Sequence, residues 1–365
     1  MGKDTVVLLG CGDIGATEEP IEAYGDLVRS TLATGDIRFG QCERLYSERG
    51  TLKFPDYGSK RAKPHLASVY TDCGFNVVSV ASNHGGDWGE DALIDTVDLF
   101  QKMGMHTIGA GRNLREARKP AIVERNGVRV AFLGYCSVLR EGYEATPDGA
   151  GMAPLRVHTH YEPRDFNAGV PPRVVTVPYE EDLQAMVEDI IAAKKLAHAA
   201  VLSLHWGVHY YEKVIAEYQP IVAHAAIDAG VDLILGHHAH LPKAIEVYKG
   251  KVCFYSLANF IMNLKRSPES AAKLVKKYGI KLDPAYPKQG YGEGSHRTLI
   301  AKAIFSKEGV KKVSYLPAMI NKECQPEVLH RGDPRFDDMV RYIEWASEGF
   351  DHKFTAEGDE ILIAS

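Results

Sequence analysis

Short apolar runs rich in β-branched residues alternate along this chain with stretches whose apolar positions recur every three to four residues. Residues 6–10 (VVLLG) and 76–81 (NVVSVA) have the continuous apolar character of buried strands. Residues 90–103 place Leu93, Val97 and Phe100 on one stripe, as an amphipathic helix does, and Gly104 stops it. A short strand is expected at 106–109. Asn126-Gly127 is a strong hairpin turn between strands at 121–124 and 129–135. Lys249-Gly250 and Glu308-Gly309 predict two more hairpins, 244–248 with 252–257 and 299–305 with 310–315. Between them a helix over 180–198, a strand over 200–204, a helix over 216–229 and a strand over 231–235 follow in turn.

Strand–helix alternation interleaved with hairpins predicts two sheets of mixed strand direction covered by helices, a layered α/β arrangement. Residues 141–172 carry five prolines and several glycines and read as a long loop over one face. Residues 265–294, rich in Lys, Pro and Gly, read as a mobile segment. The expected division is a main domain over 1–320 and a C-terminal extension over 321–365, packed on it and holding one helical pattern at 336–346.

Composition narrows the function classes. With 45% hydrophobic and 25% charged residues the chain is an ordinary globular protein with length for a large core. A net charge of -5 gives no basic footprint, so nucleic acid is not an expected partner. Six cysteines without paired spacing suggest reduced thiols and a cytoplasmic protein. The N-terminus lacks the pattern of a secretory leader, and the run from Val6 to Leu9 is too short to span a bilayer, so no membrane anchor is expected. Gly2 lacks the Ser or Thr of an acylation signal, because position 6 is Val6. Nothing in the pattern excludes a homo-oligomer.

The polar residues that follow the predicted strands carry the chemistry. Asp13 follows the first strand, Asn83 and His84 follow 76–81, and His205 ends 200–204. His237, His238 and His240 crowd the end of 231–235. Ligands of open α/β sheets gather beyond the carboxyl ends of strands, where loops converge. Carboxylate, amide oxygen and imidazole are donors that Zn²⁺, Mn²⁺ and Fe²⁺ accept. Each piece has a plainer reading alone: Asp13 as a helix cap, Asn83-His84 as turn chemistry, His205 as a buried core histidine. Four strand ends delivering donor groups in one chain favour a site for one or two divalent ions.

These residues sit in segments that resemble the bacterial capsule-synthesis (CapA or PgsA, poly-γ-glutamate) family, a branch of the calcineurin-like metallophosphoesterase fold. The segments include LLGCGDIG, FGQCERLYSERG, GFNVVSVASNHGGDWGEDALIDTVDLF, LSLHWGVHYY and IDAGVDLILGHHAHLPKAIEVYKGKVCFYSLANF. The resemblance implies a four-layer αββα sandwich of two mixed sheets. It implies metal ligation by Asp13, Glu43, Asn83, His205, His238 and His240, with His84 as the acid that protonates a leaving group. Asp87, Trp206 and Asn259 are expected to line the pocket; Asp87 either orients His84 or serves as a turn or cap ahead of Gly89. His209 stands where an acidic residue is more usual and is either a substrate contact or surface decoration. Arg44 and Arg112 are candidates to hold a small or oligomeric anionic substrate. Gly15 occupies the histidine position of an Asp-x-His pattern, which implies either a weaker first ion beside a firm one or a single tightly held ion. The implied activity is metal-dependent hydrolysis of a phosphate ester or a γ-glutamyl-type amide. The rival is a non-catalytic metal-binding partner in capsule polymer synthesis.

Overall fold

The computed structural model describes residues 4–55, 61–165 and 169–364, so Gly2 lies outside it. Two large mixed sheets organise the chain. In the ten-stranded sheet the parallel strands Val6–Gly15, Ile37–Cys42, Val77–Ser79 and His106–Ile108 lie side by side. On its other side Val6–Gly15 pairs antiparallel with Arg297–Ser306, which forms a long hairpin with Gly309–Ile320. The six-stranded sheet places Ala199–His205 between Val128–Cys136 and Leu233–His237, all parallel, with hairpin strands outside them.

Every residue of Val6–Gly15 is buried, which is why the run reads as continuously apolar instead of alternating. Its side chains nonetheless point to opposite faces in turn. Val6 and Leu8 enter a cluster that also takes Ala199, Val201, Leu233 and Leu235 from the other sheet. Val7 and Leu9 enter a second cluster with Leu93, Val97 and Phe100 of the helix Glu90–Lys102. Leu202, Leu204 and Ile234 pack in a third with Met186 and Ile190 of the helix Glu180–Lys194 and Val222 and Ala226 of Tyr218–Asp228. Full burial of each such side chain stabilises the fold by about 1.5–3 kcal/mol.

Three stretches differ from the sequence expectation. Residues 141–172 are not one long loop. Gly151–Met152 pairs with Ala110–Gly111, and Val157–Glu162 forms a two-stranded ribbon with Arg173–Pro178. The five prolines that suggested a loop all fall outside the ribbon's paired positions, where no ladder N–H is needed. Within 265–294 a helix runs Pro268–Tyr278, capped by Ser267, which accepts from the Ser270 N–H, and closed by Gly279 at φ 69°. The tail forms the helix expected there, Pro334–Ser347, and adds an unexpected hairpin, Lys353–Glu357 with Glu360–Ala364. That hairpin joins the ten-stranded sheet through Ser314 and Tyr315.

Candidate metal centre

Parallel strands of both sheets bring their donor residues to one place: Asp13 lies inside Val6–Gly15 and not after it, His205 is the last residue of its strand, and the others stand just past their strands' ends. Gly12 is required at its position: a Cβ would stand 2.0 Å from the Ala258 carbonyl oxygen. That close approach lets the Asp13 N–H donate to Ala258 O (2.9 Å) and sets Asp13 beside Asn259 in a parallel pairing. Glu43 follows Ile37–Cys42, its N–H bound to Ile14 O at 2.9 Å. Ser82 donates to Glu43 Oε2 (2.9 Å) and accepts the His84 N–H (3.1 Å), tying the loop after Val77–Ser79 to the carboxylate. His205 ends its strand. His238 and His240 lie past the Leu233–His237 strand with φ of 89° and 59°. Two non-glycine residues in the left-handed region at one turn hold strain, which structures retain where a site demands it.

The donor atoms converge. Asn83 Oδ1 lies 2.7 Å from His205 Nε2 and 3.2 Å from His238 Nδ1, while Glu43 Oε2 lies 3.5 Å from His205 Nε2. Asp13 Oδ2 is 4.0 Å from His240 Nδ1. Donor atoms of Asp13, Glu43 and His205 all fall within 4.8 Å of one another. Two donors on one tetrahedral ion with bonds of about 2.0–2.1 Å stand roughly 3.3 Å apart. The cluster therefore has the spacing a cation needs. His240 Nδ1 also pairs with Asn259 Oδ1, at 2.8 Å.

The electrostatics agree. Asp13 Oδ1 and Glu43 Oε1 are buried without a hydrogen-bond partner among the described residues, as is His205 Nδ1. Burial pushes Asp13 up to about 8, against the pull of the His238 N–H. Burial, then the neighbouring Asp13, pushes Glu43 to about 8 against His84, Ser82 and Arg44. Burial first, and neighbouring imidazoles second, hold His205 and His238 well below the usual histidine range, and burial does the same for His240. Neutral imidazoles and buried carboxylates whose oxygens are not all hydrogen-bonded are a donor set suited to a divalent ion.

His84 stands at the edge of this cluster, its Nε2 3.9 Å from Glu43 Oε1 and its side chain 30% exposed. Its Nδ1 binds Asp87 Oδ2 at 2.5 Å. The buried Asp87 in turn accepts from Tyr143 Oη (2.7 Å) and Arg140 (3.1 Å) through Oδ1. Arg140 and Tyr143 lie beside the proline-rich stretch and carry no local signal that could have named them.

The other candidates separate. His209 comes to the site, its ring 5.0 Å from that of His238, and burial first, then Lys277, Lys243 and His84, takes it down to about 4. Tyr210 stacks on His240, Tyr291 packs 4.2 Å from it, and Tyr278 packs on His209. Tyr278 and Tyr291 come from the segment expected to be mobile and cover the histidines as an aromatic wall. Arg44 is buried beside them, donating to Tyr291 Oη (3.1 Å) and Asn263 O (3.4 Å). A Cβ on Gly15 would stand 2.9 Å from Arg44 Cγ and 2.7 Å from Met262 Sδ, so those chains fill the place a histidine would take. Trp206 does not reach the site: it is buried in the outer core, stacked on Tyr255 and donating to that residue's carbonyl at 3.0 Å. Arg112 is likewise elsewhere, bidentate to Asp98 at 2.8 Å, on a cavity of about 1180 Å³ that none of the donor residues lines.

The model of a family described as bacterial capsule synthesis protein PGA_cap matches residues 12–264. The chain belongs to this PGA_cap family. It is 29% identical over 283 residues to the PGA biosynthesis protein CapA of Bacillus subtilis, covering 68% of this chain and 67% of that protein. It is 30% identical over 202 residues to the capsule biosynthesis protein CapA of Bacillus anthracis, covering 55% of this chain and 44% of that one. A probable polyglutamine synthesis accessory protein of Mycobacterium tuberculosis is 30% identical over 205 residues, 55% of this chain and 49% of its own length. The chain thus spans about half of two of these relatives and two thirds of the third. The PGA_cap match takes in the whole donor set and His84, and stops short of Tyr278 and Tyr291.

Proposed function

We propose that this PGA_cap protein is a metal-dependent hydrolase that serves poly-glutamate capsule chemistry and cleaves a γ-glutamyl-type amide or a phosphate ester. The observation that carries the proposal is the His84–Asp87 pair at the rim of the donor cluster. A cluster that only held a metal for structure would need no proton donor beside it.

A bound divalent ion would supply a water of lowered pKa and a positive charge for the developing oxyanion. The chain's own residues do the rest. Asp87, fixed by Tyr143 and Arg140, accepts the His84 Nδ1 proton and stabilises the charged imidazole. That leaves the second proton on Nε2, on the side of Glu43, where it can pass to the departing nitrogen or oxygen. His209 and the Tyr210–Tyr278–Tyr291 wall narrow the approach and exclude water from the histidines. The relatives' names, PGA biosynthesis and polyglutamine synthesis, favour the amide over the ester.

The frame that fits this reading is the four-layer αββα sandwich. One core cluster shared by both sheets and one cluster on the outer face of each support it. A cytoplasmic setting is supported by six free, buried cysteines, and among the described residues no helix is long and apolar enough to cross a membrane.

The word accessory in the name of the mycobacterial relative favours a second reading, a non-catalytic metal-binding partner of a polymer synthase. One assay separates the two: p-nitrophenyl phosphate mono- and diesters and γ-glutamyl amides, each tried with Mn²⁺, Zn²⁺ and Fe²⁺. The first reading expects turnover that a chelator abolishes and His84→Ala lowers by about 10²–10⁴-fold with metal retained. Metal uptake without turnover on any of these substrates refutes it in favour of the second.

A further inference from the structure

His237 takes no part in the proposed proton transfer, yet it lies beside Asp13 at the floor of the cluster. It closes the Leu233–His237 strand in register with His205, so the two imidazoles leave the sheet on the same face, between the sheets. It is fully buried, and its ring packs 5.7 Å from that of Phe39, which fixes its position. Neither ring nitrogen has a hydrogen-bond partner among the described residues. Its Nδ1 stands 3.3 Å from Asp13 Oδ1, which is also without one.

Two buried polar atoms that face each other at 3.3 Å without bonding are arranged as two donors to a third party. The separation is that of adjacent donors on one tetrahedral ion, about 3.3 Å. The same half of the cluster is short of a donor, because Arg44 and Met262 fill the space over Gly15. We propose that His237 is a ligand of the ion held by Asp13, supplying from the Leu233–His237 strand the imidazole that position 15 lacks. The cation is of the class that accepts mixed carboxylate and imidazole donors, such as Zn²⁺, Mn²⁺ or Fe²⁺. The chain then has donors for two ions: Asp13, Glu43, His237 and His240 for one, and Glu43, Asn83, His205 and His238 for the other. This assignment rests on the metal-centre reading and sharpens it.

The test counts bonds directly. The full chain, labelled with ¹⁵N in its histidines, is freed of metal and loaded with ¹¹³Cd²⁺, and one-bond ¹⁵N–¹¹³Cd couplings are recorded. Four coupled imidazoles are expected, and His237→Phe, which keeps a ring against Phe39, should remove one. In that variant the weaker of two Cd²⁺ affinities should fall by at least about tenfold while the tighter is unchanged. Cd²⁺ coupling to only three imidazoles in the wild type overturns the assignment and leaves the metal centre standing. No Cd²⁺ uptake overturns both. Should His237→Phe fail to fold, the count in the wild type decides alone.

Discussion

Without a bound metal this protein should become less stable as the pH rises from 6.5 to 8, the reverse of the usual behaviour of carboxylates. In the metal-free fold Asp13 and Glu43 stand near 8, while their ordinary values are 3.8 and 4.5. Over that window the unfolded carboxylates are ionised and the folded ones still hold protons, so the folded state binds more protons and stability falls with pH. Each pH unit costs up to about 1.4 kcal/mol per carboxylate, less near 8 where the folded groups themselves ionise, or roughly 3 kcal/mol for both across the window. Unfolding entropy of about 2.1 cal/mol/K per residue turns this into a fall in Tm of about 4 °C for a chain of this length. Below 6.5 the buried histidines act with the opposite sign and outnumber the two carboxylates. His237 stands near 3 in the fold against 6.5 when unfolded, and His205, His238 and His240 are lowered as well, so their contribution is present above 6.5 and is lost as the pH drops below it. The metal-free protein should therefore be most stable near pH 6.5. Thermal melts of chelator-treated, dialysed protein from pH 5 to 8.5 test this, with and without Mn²⁺ or Zn²⁺, beside the Asp13→Asn, Glu43→Gln double variant. The fall above 6.5 should vanish in the double variant and in the metal-loaded protein, whose ions favour ionised carboxylates. A metal-free Tm that stays level or rises from 6.5 to 8, or that falls equally in the double variant, would refute the reasoning.

Two further outcomes follow from single contacts. Gly12→Ala sets a methyl 2.0 Å from the Ala258 carbonyl, so the strand must part from Asn259; urea denaturation should show a loss of about 2 kcal/mol or more, and calorimetry weaker metal uptake. Tyr143→Phe removes one of the bonds that hold Asp87, which costs about 1.5–3 kcal/mol for a bond to a buried charge. On any substrate turned over, kcat should fall while KM and metal content hold, and an equal fall for a variant at an unrelated buried tyrosine would assign the effect to stability alone.

Much of the frame was legible because it follows from local periodicity. The buried run at Val6, the stripe of Leu93, Val97 and Phe100 and the Asn126-Gly127 hairpin were all readable without tertiary contacts, since each pattern needs only its own neighbours. The same logic applies at Ser267 and Gly279, whose capping roles bound a helix inside the Lys-, Pro- and Gly-rich segment. The tail hairpin escaped because its place in the sheet is set by pairing with Ser314 and Tyr315, far off in the chain.

The donor residues were nameable one strand end at a time, because an Asp, an Asn-His or a His-x-His after an apolar run is a local feature. Their distances were not, since they depend on how two sheets stack. Sequence alone could not tell that Trp206, one residue past His205, faces away into the outer core, or that Arg112 is bound to Asp98 on another cavity. Nor could it tell that Arg140 and Tyr143 grip Asp87. What the sequence determined was which groups would stand at the ends of the strands. The tertiary structure alone decided which of them meet, because a strand sends successive side chains to opposite faces and only the packing of the two sheets sets which face is the site.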